Sequence, residues 1–381
     1  MHLLTFAALA SVASAWLPAS GKIRGVNVGS MFVFEPWMDW QEWSNMGCDG
    51  QQSEFDCVMN TGQDRANAAF QSHYDNFINE DDLNEMMSYG LNTIRIPLGY
   101  WLKEDLVDSS EHFPRGGLQR LIRFCGLASN RGFYIILDLH GGPGAQQPQQ
   151  PFTGQYAPSA GFYNDYNYGR AVEWLSWMTE LIHTTHELRN VGMLEVINEP
   201  LNWDNAVDSL RRTFYVNAYN AIRQVENRLG VASNDQVHVQ LMSSHWGSGN
   251  PREFLGGASN LAFDDHRYLK WDPSVPVNHD AYIAASCNDN RNAETPTIVG
   301  EWSLSVPDNV EHTAQWSPGS QQAFYRRWFA AQVQAYERSL GWVYWSWKVN
   351  LGDYRWSYRD AVAAGVISTN LDSVANSQSS I

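Results

Sequence analysis

Eight short runs rich in β-branched, aliphatic and aromatic residues recur along this chain, at 23–28, 93–98, 134–139, 193–198, 237–242, 261–266, 297–301 and 342–347. Between them, helical spacing of apolar residues is carried by 81–89, 118–130, 170–186, 210–229 and 321–338. Strands separated by helices cannot pair as tight hairpins; they need crossovers and a parallel sheet. Eight such units in a chain of 381 residues predict an α/β fold, a single (β/α)8 TIM barrel.

Two of the runs end in a glutamate: Val196-Ile197-Asn198-Glu199-Pro200 and Ile298-Val299-Gly300-Glu301-Trp302. A carboxylate at the mouth of a buried strand is costly unless it has a task. A matched acid and nucleophile is what glycoside hydrolysis requires. Arg95, His140, Asn198, His266, Tyr268 and Trp345 also fall at or near the C-terminal ends of predicted strands, the end that carries chemistry in such barrels. Singly, Arg95 has a structural alternative as a buried ion-pair partner, and each histidine as a hydrogen-bonded core residue. Together with the glutamates they make eight polar or aromatic groups at one end, which chance placement does not produce.

The net charge of −16, from 41 acidic and 25 basic residues, opposes binding to phosphate backbones and anionic lipid, so neither nucleic acid nor membrane is an expected partner. Aromatic residues are plentiful, with 17 Trp, 17 Tyr and 16 Phe. Most of any such set fills a core, but flat rings also support the faces of sugars. Two long irregular stretches after strand ends, 30–67 and 141–168, are candidates for that use. They contain Phe32, Phe34, Trp37, Trp40 and Trp43, and Phe152, Tyr156, Phe162, Tyr163, Tyr166 and Tyr168. Both are expected to wall a groove.

Residues 1–15 read MHLLTFAALASVASA, a short apolar run ending in small residues, which predicts a cleaved secretory leader and a secreted protein, extracellular or in a cell wall. The catalytic domain would then span 16–381, with a tail that frays from about 368. Of four cysteines, Cys48 and Cys57 close a short loop and are expected to be bonded; Cys125 and Cys287 lie on helices on opposite sides of the barrel, too far apart to bridge, and are expected to be free and buried. Asn-x-Ser/Thr does not occur, so N-glycosylation is not expected. No zinc-type Cys or His spacing stands out, and no Gly-x-Ser-x-Gly or Gly-x-x-x-x-Gly-Lys run points to an esterase or a nucleotide enzyme.

The stretches IRGVNVGSMFVFEPW from Ile23, NTIRIPLGYW from Asn92, IILDLHGGPGAQ from Ile135 and MLEVINEP from Met193, followed by DDHRYLKWDPSV, TPTIVGEWS and GWVYWSWK, resemble glycoside hydrolase family 5 over nearly the whole chain. The resemblance implies a retaining β-glucanase that needs no metal and no organic cofactor. It acts on β-glucan and gluco-oligosaccharides, and a monomer is the simple expectation. Glu199 would be the acid/base and Glu301 the nucleophile, about 5–5.5 Å apart, with Glu301 kept ionised by Arg95 and Glu199 protonated. Asn198 would bind the sugar 2-hydroxyl, Tyr268 would hold the nucleophile, and His140 and His266 would orient groups in the cleavage subsite. Trp345 would stack beneath that sugar, ahead of Trp347, and Glu35 would contact hydroxyls of the non-reducing sugar. About forty residues separate Glu301 from the last strand, without the cysteine-containing insertion of exo-β-1,3-glucanases, and Trp271 stands where those enzymes carry phenylalanine. These departures favour endo action on β-1,6 linkages; exo-β-1,3-glucanase is the alternative, and a non-catalytic glucan-binding protein a remote one.

Overall fold

The computed structural model describes residues 17–18, 21–203, 205–291 and 293–376; the leader expected over 1–15 lies outside them. Eight parallel strands close into a barrel in sequence order: β1 (Ile23–Asn27), β2 (Thr93–Gly99), β3 (Tyr134–Gly141), β4 (Val191–Glu195), β5 (His238–Met242), β6 (Leu261–Arg267), β7 (Thr297–Trp302) and β8 (Gly341–Tyr344). The last strand pairs with the first, Ile23 opposite Gly341. All eight expected strands are present. Strands β4 and β8 end early, so Asn198 and Glu199, like Trp345, sit on the turns that follow.

Alternate residues of a strand face the same side, and this places the site. Along β3, Ile136, Asp138 and His140 share one parity; along β6, Ala262, Asp264 and His266 do. The lower members join Ile23, Met193, Ile298 and Val343 in an apolar layer inside the barrel. One step higher, the same strands present Asn27, Arg95, Asp138, Glu195 and Asp264, all fully buried. A charged layer thus rests on an apolar one, directly below the strand ends.

The helices Leu118–Asn130, Asp165–Thr184 and Gln322–Tyr336 agree with their predicted positions to within about a turn. The stretch 30–67, expected to be irregular, instead contains helices Trp40–Asn45 and Glu54–Thr61 and the start of Gln63–Asn76. The first is capped by Asp39, whose carboxylate accepts the Glu42 amide, and the Cys48–Cys57 disulfide ties the pair together. Helices this short carry too few turns for periodicity to reveal them. Cys125 is free and buried as expected; Cys287 is free but only half-buried. Within the tail expected from about 368, Leu371–Asn376 is a helix with Leu371 and Val374 buried, and Arg24 pairs with Glu337 and Asp372; residues 377–381 lie outside the described residues. Among the described residues no helix is long and apolar enough to cross a membrane.

Candidate active site

Arg95 organises the floor. Its Nη1 donates to Glu301 Oε1 at 3.0 Å and to Asn27 Oδ1 at 2.9 Å, while Nη2 donates to Glu195 at 2.7 Å and to Asn198 Oδ1 at 2.8 Å. Asp138 and Asp264 lie 3.1 and 3.5 Å from the same guanidinium. Burial opposes its charge, yet Asp138, Glu195, Asp264 and Glu301 together push the Arg95 pKa well above its ordinary value. With four acids about one arginine, the buried layer needs more positive charge or a proton. Both are present: Glu301 and Asp264 outweigh burial and raise the His266 pKa well above the ordinary imidazole value, and burial keeps Glu195 protonated well above the usual carboxyl range.

His266 joins the two glutamates. Its Nδ1 is 2.6 Å from Glu199 Oε1 and 3.6 Å from Glu301 Oε2, and its Nε2 is 3.3 Å from Asp264 Oδ2. One oxygen each of Glu199 and Glu301 and a His266 nitrogen all lie within 4.8 Å of one another. Glu301 also accepts the Tyr268 hydroxyl at 2.9 Å. Burial pushes the Glu301 pKa up, and His266 and Arg95 pull against that rise. Gly300 is required just before it: a Cβ there would stand 2.1 Å from Asp264 Oδ1, which accepts the Gly300 amide at 2.8 Å.

Glu199 is held differently. Its backbone adopts φ +40°, a left-handed conformation that costs a non-glycine residue about 1–3 kcal/mol and persists only where neighbours enforce it. Gln147 donates to the carbonyls of Glu199 and Pro200, and the Trp246 indole donates to that of Pro200. Asn198 presents a buried Nδ2 with no hydrogen-bond partner among the described residues. An orphaned donor beside two carboxylates is a site for a ligand hydroxyl.

Above the floor lies a cleft of about 720 Å3 lined by Glu35, His140, Asn198, Glu199, Tyr268, Trp271, Glu301 and Trp345. All ten sequence-predicted site residues therefore meet: eight in the lining, with Arg95 and His266 beneath it. The His140 ring stacks on Trp345 at 5.6 Å and is held by Asp138. Glu35 accepts the Trp37 indole at 2.7 Å, and burial pushes its carboxyl up to about 7. Only three of the eleven aromatics expected to wall the groove do so, and Tyr156, Tyr163 and Tyr166 lie outside its lining. Trp37, Trp40 and Phe152 line the cleft, but Phe32, Phe34, Trp43, Phe162 and Tyr168 are buried in the core. Trp347 is buried too, its indole bound to Asp82. Sequence reasoning missed Trp203, Trp246 and Trp356 in the lining, and Asp138, Glu195 and Asp264 in the floor.

The family pattern described as Cellulase (glycosyl hydrolase family 5) matches residues 53–351. The chain is 61% identical over 360 residues to glucan endo-1,6-beta-glucosidase B of Emericella nidulans, covering 94% of this chain and 88% of that one. It is 57% identical to the probable glucan endo-1,6-beta-glucosidase B of Neosartorya fischeri, covering 98% of each. A more distant relative, the probable glucan 1,3-beta-glucosidase A of Aspergillus fumigatus, is 27% identical over 92% of this chain and 88% of its own. Among solved structures, a rutinosidase from Aspergillus niger shares the fold with a TM-score of 0.71 at 20% identity, over 93% of this chain and 100% of that one. A closed eight-stranded barrel, one glutamate on the turn after β4 and one near the end of β7, and a family match over most of its length place the chain in glycosyl hydrolase family 5.

Proposed function

We propose that this chain is a retaining endo-β-1,6-glucanase, a glucan endo-1,6-β-glucosidase that cleaves internal bonds of β-1,6-glucan by double displacement. The observation that carries the chemistry is the approach of Glu199 and Glu301, with oxygens within 4.8 Å. A direct nucleophile needs carboxyl groups about 5–5.5 Å apart, whereas an intervening water needs roughly 6.5–9.5 Å. The linkage rests on relatives sharing more than half of the sequence, against 27% for the 1,3-glucosidase.

In this reading Glu301 attacks the anomeric carbon, oriented by Arg95 and Tyr268, while Glu199 gives its proton to the leaving oxygen. The bond from carbon to the leaving oxygen breaks as the ester to Glu301 forms. Glu199, now ionised, takes a proton from water, which displaces Glu301 and restores both groups. The unpartnered Asn198 Nδ2 donates to the sugar 2-hydroxyl, a bond that strengthens in the transition state. His140 and Trp345 form the platform under the reacting sugar, Glu35 takes its outer hydroxyls, and Trp271 supports the chain beyond. His266 fixes Glu199. The disulfide and the leader-like run at 1–15 support a secreted protein, and it acts as a monomer.

Product sizing tests the reading. Incubation with linear β-1,6-glucan should release a ladder of short oligosaccharides early, with linear β-1,3-glucan left intact. Steady release of glucose from the 1,3 polymer would instead make it an exo-β-1,3-glucanase, and silence on both would leave a glucan-binding protein.

A further inference from the structure

Lys270 belongs to the cleft lining but bears on neither catalytic glutamate. Its side chain is 8% exposed, low for a residue type that normally keeps its ammonium in water. The ammonium lies 5.2 Å from the centre of the Trp271 ring and 5.4 Å from that of Trp356. Both fall inside the roughly 6 Å within which a cation is held by an aromatic face. A third contact, 2.8 Å to Asp308 Oδ1, comes from the loop after β7. That aspartate side chain is 83% exposed, so the ion pair alone contributes little. The two rings are the main anchors.

The four residues come from three loops. Lys270 and Trp271 follow β6, Asp308 follows β7, and Trp356 follows β8. The rings they join continue toward the reacting centre: Trp271 and Trp356 pack on Tyr268 at 4.9 and 5.7 Å, and Trp356 meets Trp37 edge-on at 5.1 Å. Tyr268 is the residue that donates to Glu301. Trp271 nevertheless remains 64% exposed, so much of its surface is free for a ligand. A ring this exposed would sample several rotamers if nothing held it, and binding would have to freeze it.

We infer that Lys270 is a positioning residue whose ammonium, set against both Trp271 and Trp356, whose ring centres are 6.4 Å apart, pre-orders the aromatic wall of the cleft and so sets affinity for the glucan chain. This rests on the reading of the cleft as the glucan site. Lysine suits the place because one compact cation can satisfy two ring faces and a carboxylate at once. An apolar side chain would fill the space without that attraction.

The test compares Lys270→Met, Lys270→Arg and Asp308→Asn with the unaltered chain on linear β-1,6-glucan, with kcat and KM measured separately. Lys270→Met should raise KM about tenfold with kcat within about twofold, and Lys270→Arg should bring KM back to within about threefold. Asp308→Asn, which loosens the ammonium and leaves the packing in place, should raise KM by about two- to threefold. A KM within twofold of the unaltered chain in Lys270→Met, or a fall in kcat that arginine does not restore, overturns the proposal. If Lys270→Met is insoluble, an unchanged KM in Lys270→Gln, which removes the cation and keeps a polar side chain, overturns it instead. The position of the Trp271 ring in a crystal structure of Lys270→Met separates this from failure of the substrate reading. If the unaltered chain leaves β-1,6-glucan intact, that reading falls, while a Trp271 ring that is displaced or in several rotamers in Lys270→Met still upholds the ordered wall and an unmoved single rotamer rejects it.

Discussion

The floor of the cleft and its walls are built on opposite principles. In the floor, ionisable groups are buried around Arg95, and every residue comes from a strand or the turn at its end. The walls are aromatic, partly exposed and drawn from long loops. Glu301 reaches the cleft but is held by the floor, pinned by Arg95 and Tyr268 on an extended strand. Glu199 stands at the boundary, on a strained turn that the loop after β3 clamps through Gln147. As the proposed nucleophile, Glu301 would have to meet one carbon in one geometry, which rigidity serves. As the proposed acid/base, Glu199 would face first a leaving oxygen and then a water, and its position on the rim would give both access.

The largest effect that would break this contrast comes from the glutamates themselves. Glu301→Gln should abolish turnover of every β-glucoside, whereas Glu199→Gln should still give a burst of phenol from an aryl glucoside whose leaving group needs no proton, followed by slow hydrolysis. Rapid mixing reads the difference; a burst in Glu301→Gln would reverse the two roles. Next in size is Arg95→Met, which leaves the floor's acids without their guanidinium and should cost about 3–5 kcal/mol in denaturant unfolding. A loss under about 1 kcal/mol would show that the acids share protons and do not need the cation.

The smallest effect distinguishes a buried acid that has a cation from one that has none. Glu54, within the first wall stretch, is fully buried and accepts the Phe34 amide at 2.7 Å with no cation beside it among the described residues; burial pushes its pKa from 4.5 to about 8 against the pull of Phe34 and Trp101. Between these values the folded state holds a proton that the unfolded state has released. The contribution of Glu54 to stability is therefore full below about pH 4.5 and is lost as pH rises to about 8, by a few kcal/mol at most at about 1.4 per unit. Glu35, raised to about 7, acts in the same direction. Glu54→Gln should flatten the fall in thermal midpoint between pH 5 and pH 8 by several degrees. An unchanged slope would assign the pH dependence to other groups.

The contrast also explains what could be read from the sequence. Strands and their terminal residues were legible because barrel repetition and C-terminal placement are local signals. The floor's acids carried a signal that was overlooked. Asp138 precedes His140 by two residues, and Asp264 precedes His266 by two, so strand parity alone puts each pair on one face. Once the histidines are assigned to the cleft, the aspartates must lie beneath them. The wall residues carried no such signal. A loop long enough to form its own helices also forms its own small core, and its aromatics divide between core and cleft. Trp37 lines the cleft while Trp43, six residues later, is fully buried, and nothing in their spacing separates them. Trp246 and Trp356 reach the cleft from loops whose paths depend on the folded barrel.

The pairing of β1 with β8 joins residues that are far apart in the chain, Ile23 with Gly341. Until β8 has formed, the hydrogen-bonding groups on the outer sides of β1 and β7 have no partners, and the sheet is an open ribbon with two sticky margins. Such margins template pairing between chains. Loss of the last forty residues would thus yield a species prone to aggregate rather than a smaller enzyme, although neither Glu199 nor Glu301 would be lost.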